Sequence, residues 1–177
     1  MKSKRFLCLL LVLLMVFSLT PSETRAETTV YFTAVNDQLL PDLSDETMPF
    51  WSGGRLYVPS TIITGTDLGL FYSRSRDKST AVVYRQGSAL TFNFAVGTVA
   101  DQNDRQYSGP AIVRSDVVFL PLDLLTQFFS LDYSYTRVTY GYLVRVKSDT
   151  VVLSDAKFID AAAMSMEQRY NEYMKTH

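Results

Sequence analysis

The chain has 177 residues, 47% hydrophobic and 20% charged, with a net charge of −1. That composition excludes a disordered chain and leaves room for one ordinary domain or two very small ones. Residues 1–26 stand apart. Lys2, Lys4 and Arg5 precede an unbroken apolar run, Phe6 to Phe17, and Thr24-Arg25-Ala26 closes the segment. This is the layout of a secretory signal peptide cleaved after Ala26. The alternative is a retained anchor, but the run falls short of the ~18–20 residues that span a bilayer. Cys8 lies inside the run with no small-residue box before it, which argues against a lipoprotein. Cleavage would remove four of the 17 basic residues, one of the 18 acidic ones and the single Cys, leaving a net charge of −4. A mildly acidic chain carries no footprint for nucleic acid or anionic lipid. About 150 residues can bury an adequate core without disulfides.

In residues 27–150 the pattern is mostly strands. Thr28 to Val35 alternates, with Val30, Phe32 and Ala34 on one face, and predicts a half-buried strand. Asn36-Asp37-Gln38 is a turn. Pro41 to Thr47 is a loop holding Asp42, Asp45 and Glu46. Met48 to Trp51 is apolar, and Ser52-Gly53-Gly54 turns the chain into a strand, Arg55 to Val58, that ends at Pro59. Ser60 to Leu68 predicts a short helix closed by Gly69, although its β-branched residues are poor helix formers. Leu70 to Ser73 and Thr80 to Arg85 form a hairpin. Ala89 to Val96 is a strand of alternating Leu90, Phe92, Phe94 and Val96.

From here the pattern returns. Asn103-Asp104-Arg105 answers Asn36-Asp37-Gln38. Val118-Phe119-Leu120-Pro121 answers Leu56-Tyr57-Val58-Pro59, and a second short helix follows to Phe129. Leu131 to Ser134 and Tyr142 to Val146 answer the first hairpin. Two copies suggest a pseudo-symmetric unit rather than a solenoid. The expected fold class is α+β: an antiparallel sheet with short helices from an internal duplication, plus a C-terminal amphipathic helix in 151–177. In that helix Phe158, Ile159, Ala162, Ala163, Met166, Tyr170 and Tyr173 recur at helical spacing behind Ser154, a plausible N-cap. It would pack on the preceding domain or serve as a connector.

The pattern of Asn-Asp turn, Gly54-Arg55-Leu56-Tyr57-Val58-Pro59, short helix, Leu-Gly and hairpin, then again Asp116-Val117-Val118-Phe119-Leu120-Pro121, resembles the copper amine oxidase N-terminal-like domain of secreted Firmicutes proteins. The resemblance covers about residues 30–147. Ser60-Thr61 departs from that family's usual Leu-Arg, and the second copy lacks the Gly-Arg. It implies a small antiparallel sheet packed on short helices and a stalk-like domain separate from any copper centre. It does not imply an oxidase.

The residues agree with that. Copper(II) favours imidazole, and the one His is His177. Without an internal His, or a Cys beyond residue 8, the usual nucleophile–base pairs are missing. No cofactor or metal is expected. The acidic loop at 42–46 reads as solvated, with calcium as the sharper alternative. The aromatics are the remaining candidates, because exposed rings stack on sugars or grip proteins. Trp51, beside its Ser-Gly-Gly turn, is the first choice, with Tyr57, Tyr107 and Tyr133. The expectation is a secreted, non-catalytic binding or scaffolding module at the cell envelope, contacting glycan or another protein, with no nucleic-acid or membrane partner. The alternative is the accessory part of a cell-wall hydrolase or polysaccharide deacetylase. A small carboxylate hydrolase is a third reading.

Overall fold

Alternation at period two dictates strands along most of the chain. The computed structural model describes residues 29–41, 43–64 and 67–177. In chain order these form β1 (Tyr31–Val35), β2 (Gln38–Leu39), β3 (Phe50–Ser52), β4 (Arg55–Pro59), a 3-10 turn (Ser60–Ile62), β5 (Phe71–Arg74), β6 (Thr80–Arg85) and β7 (Ser88–Asn93). Then come β8 (Thr98–Asp101), β9 (Gln106–Tyr107), β10 (Ile112–Arg114), β11 (Val117–Pro121), helix α1 (Leu122–Phe129), β12 (Asp132–Val138), β13 (Gly141–Lys147) and helix α2 (Asp155–Met174). The fold is broadly α+β, mainly antiparallel sheets with two helices, one of them C-terminal.

The strands make three sheets. Sheet I has the order β12-β13-β1-β2, sheet II β10-β11-β4-β3, and sheet III β5-β6-β7-β8-β9. All pairs are antiparallel except β1 with β13, which run parallel from Tyr31 opposite Tyr142 to Val35 opposite Val146. In sheet II the two proline-ended strands lie side by side, Tyr57 opposite Pro121, Val58 opposite Leu120 and Pro59 opposite Phe119. One core joins the sheets. Leu56, Val58, Val118 and Leu120 of sheet II meet Val144 and Val146 of sheet I, Leu90 and Phe92 of sheet III, and Leu122, Leu125 and Phe129 of α1.

Three segments differ from the sequence pattern, each for a physical reason. Of the helix expected over 60–68, the described residues form only the 3-10 turn Ser60–Ile62. Thr61, Ile62 and Ile63 lose side-chain freedom in a helix, and burial of Ile62 and Ile63 holds the turn instead. The strand expected over 89–96 stops at Asn93, whose side chain accepts hydrogen bonds from the Ala95 and Val96 amides and turns the chain. Val96 is left 67% exposed. The expected half-buried β1 is covered on both faces. Tyr31 and Val35 face the main core side, and Val30, Phe32 and Ala34 pack with Leu143 against Phe158, Ala162, Met166 and Tyr173 of α2. The C-terminal helix therefore packs on the domain, while Ala163 of its expected apolar face is exposed.

A polar hub fixes where α2 starts. Arg145 alternates onto the α2 side of β13 and is fully buried. Its Nε donates to the Asn36 carbonyl at 2.6 Å, Nη1 to Asp155 Oδ1 at 2.7 Å, and Nη2 to Asp37 Oδ1 and the Leu153 carbonyl, both at 2.8 Å. Its guanidinium lies 4.4 Å over the Phe158 ring. Asn36 takes a left-handed φ of 48°, which Asn tolerates better than most residues, and its side chain bonds Ser148 and Thr150. Amides of Leu153 and Val152, then Arg145, hold the Asp37 carboxyl below its usual range. Burial raises that of Asp155, but Ser134, Arg145 and Lys147 outweigh it and bring it down. Ser154 caps α2, accepting from the Lys157 amide. At the other end, Tyr173 donates to Asp45 Oδ1 at 2.5 Å and stacks on His177, whose Nε2 is 3.2 Å from Asp45 Oδ2.

Candidate functional site

On β12, residues of one parity face the same way, so Tyr133, Tyr135 and Arg137 form a row. β12 is an edge strand of sheet I, and Tyr133 and Tyr135 are 37% and 36% exposed. The register brings further tyrosines beside this row. Tyr142 of β13 lies opposite both Arg137 and Tyr31. Tyr135 stacks on Tyr142 with centroids 4.9 Å apart and planes 6° apart, and Tyr142 stacks on Tyr31 at 5.7 Å. Trp51, from the edge strand β3 of sheet II, meets Tyr135 edge to face at 5.7 Å and 85°, and is itself 49% exposed. Burial, then the charge and hydrogen bond of Tyr135, push the Tyr31 hydroxyl above its ordinary pKa. It stays protonated and can donate.

The four residues singled out from sequence are divided. Trp51 and Tyr133 belong to this surface, joined through Tyr135. Tyr57 does not, being 4% exposed. Its ring stacks on Phe50 at 5.7 Å and its hydroxyl donates to the Pro110 carbonyl at 3.2 Å, so it closes the far face of sheet II and offers no platform. Tyr107 lies on β9 of sheet III, half-buried, its hydroxyl donated to Asp101 and its ring against Phe128 and under Arg105. Tyr31, Tyr142 and Arg137 were not singled out: the β12–β13 register sets Tyr142 beside Tyr135 and Arg137, and the pairing of β1 with β13 adds Tyr31. The available signal was the Tyr-Ser-Tyr-Thr-Arg alternation of 133–137.

Beside the row is a cleft of about 310 Å³ whose lining includes Thr29, Arg137, Thr139, Tyr140, Tyr142 and Tyr170. Tyr142 is shared between cleft and row. Tyr140 lies 5.0 Å from Tyr170 and donates to Glu167, which, with burial, raises its pKa. Arg137 forms no ion pair or side-chain hydrogen bond with any described residue. The geometry supplies flat apolar faces, phenol donors and a guanidinium unpaired among the described residues.

The acidic loop is engaged elsewhere. Asp45 accepts from Tyr173 and His177, and its backbone carbonyl accepts from Arg114. Asp42 lies outside the described residues, as does the segment 1–26. Among the described residues no group of three or more His, Cys, Asp or Glu could hold a metal, and no helix is long and apolar enough to cross a membrane. Comparison of the chain with family models finds no match. Comparisons with curated proteins and with solved structures find none either.

Proposed function

We propose that this is a secreted, non-catalytic binding module of the cell envelope that holds glycan on the surface formed by Trp51, Tyr133 and Tyr135. The observation that carries the reading is the Trp51–Tyr135 contact: two partly exposed rings from different sheets, set at right angles and backed by stacked Tyr142 and Tyr31. Such backing fixes the rings before a ligand arrives, which lowers the ordering cost of binding. Export rests on the signal-like segment 1–26. The lack of nucleophile–base pairs in the sequence supports a non-catalytic role.

The resemblance to the copper amine oxidase N-terminal-like domain belongs to the same proposal, as does internal duplication. Supporting duplication is the register of sheet II. Val58 pairs with Leu120, its counterpart 62 positions on, and the flanking pairs Tyr57–Pro121 and Pro59–Phe119 exchange under the same offset. Sheet I then takes its hairpin from the second copy and β1-β2 from the first, while sheet III does the reverse around β7.

The test is retention of the purified protein on isolated cell wall, compared with Trp51→Ala and Tyr135→Ala variants that keep the wild-type circular dichroism. Each variant is expected to lose about ten-fold in affinity, the scale of a central aromatic anchor. Absence of wall retention by the wild-type protein, or unchanged retention by both variants, would refute the reading.

A further inference from the structure

We infer that the glycan bound here is anionic, and that Arg137 recognises a sugar carboxylate at the mouth of the Tyr140–Tyr142 cleft. This rests on the proposed glycan-binding reading and narrows it to a ligand class. Three observations converge. Arg137 is exposed and shares a face of β12 with Tyr133 and Tyr135, two positions from the ring that Trp51 touches. That spacing is ~7 Å along a strand, so stacking and charge recognition fall within one short saccharide. Arg137 also lines the cleft, whose wall Tyr142 is stacked against Tyr135. A ligand leaving the aromatic row therefore enters beside the guanidinium. Finally, the guanidinium has no partner among the described residues, unlike Arg55, Arg74 and Arg145, which are all paired with carboxylates.

A free planar fork with five donors matches a carboxylate in two parallel hydrogen bonds. The polar lining at Thr29 and Thr139 is left for sugar hydroxyls. A neutral glycan would use the rings but leave the cation idle.

The experiment is isothermal titration of the purified protein with three probes: an oligogalacturonate, its methyl ester, and a phosphate-substituted neutral oligosaccharide. The acid is expected to bind about ten-fold or more tightly than the ester, the scale of a hydrogen bond to a charged group. Arg137→Gln should bring the acid down to the affinity of the ester, and Arg137→Lys should keep part of the preference, both with unchanged circular dichroism. Trp51→Ala should weaken acid and ester alike. Equal binding of acid and ester, or a preference that survives Arg137→Gln, would overturn the inference while leaving glycan binding in place. Preference for the phosphate probe over the acid would overturn the assignment to a carboxylate. Failure of every probe, together with no retention on cell wall, would remove the glycan reading itself.

Discussion

Replacing Arg145 by Met tests the argument that a buried cation locates the C-terminal helix. The methionine keeps most of the apolar stem, so lost packing is a minor part of the effect. What disappears is a guanidinium with no solvent exposure that makes four hydrogen bonds. Breaking a buried pair by removing one partner costs about 3–5 kcal/mol. Here the abandoned carboxylates are not sealed in, since the Asp37 and Asp155 side chains are 29% and 33% exposed. Water can reach them, which places the expected loss near the lower end, about 3 kcal/mol. Urea unfolding followed by circular dichroism would measure it. Hydrogen exchange should show the amides of α2 opening before those of sheet II. Arg145→Lys keeps the charge but not the fork, and should lose an intermediate amount. Adding Asp155→Asn to Arg145→Met should cost less than the sum of the two single changes, because the second removes a carboxylate the first has orphaned. A loss below about 1 kcal/mol for Arg145→Met, or strict additivity in the pair, would refute the reasoning.

Gly141→Ala should destabilise by about 2–3 kcal/mol in the same assay, since φ is 142° and a Cβ would collide with the Val30 backbone carbonyl. Acid should loosen α2. Asp37 and Asp155 have folded pKa values below that of an ordinary aspartate, so their contribution is present above about pH 4 and lost as pH falls through the lower folded values. The unfolding midpoint should drop there, and less steeply in Asp37→Asn. Alkali should act on the other end of the helix. Burial and the hydrogen bond to Asp45 raise Tyr173 to about 12. Its contribution is intact below pH 10 and fades as pH rises through 12, and Tyr173→Phe should flatten that part of the curve.

Strands were legible where one face meets the core and the other meets water. The Leu90–Phe92 alternation around exposed Thr91 is of this kind, and so is the capped, periodic α2. The segment after Pro59 was not, because apolar spacing alone cannot separate a helix from a turn held by two buried isoleucines. Tyr57 shows the same limit at the site. Its alternation places it off the core face, but the segment that covers it, Pro110, comes 53 positions later. Trp51 was legible because a Ser-Gly-Gly turn leaves its neighbour at an edge. Tyr31 and Tyr142 were not, since only a parallel pairing between the two ends of the domain brings them together. The Arg145 hub left one trace, a lone Arg inside the apolar run Leu143-Val144-Arg145-Val146, which in a doubly covered strand must find carboxylates.

The parallel pairing of β1 with β13 sets an order of assembly. The first strand among the described residues has its long partner ~110 residues away, near the end of the domain. Closing so long a loop is slow, and the contacts that reward it arrive last. Until residues 141–147 exist, β1 has only the two-residue β2 to pair with and exposes Phe32 and Val35. A nascent chain of this topology stays unfinished at its N-terminal edge until almost all of it has been made. That is the state in which a polypeptide can still be threaded through a narrow pore.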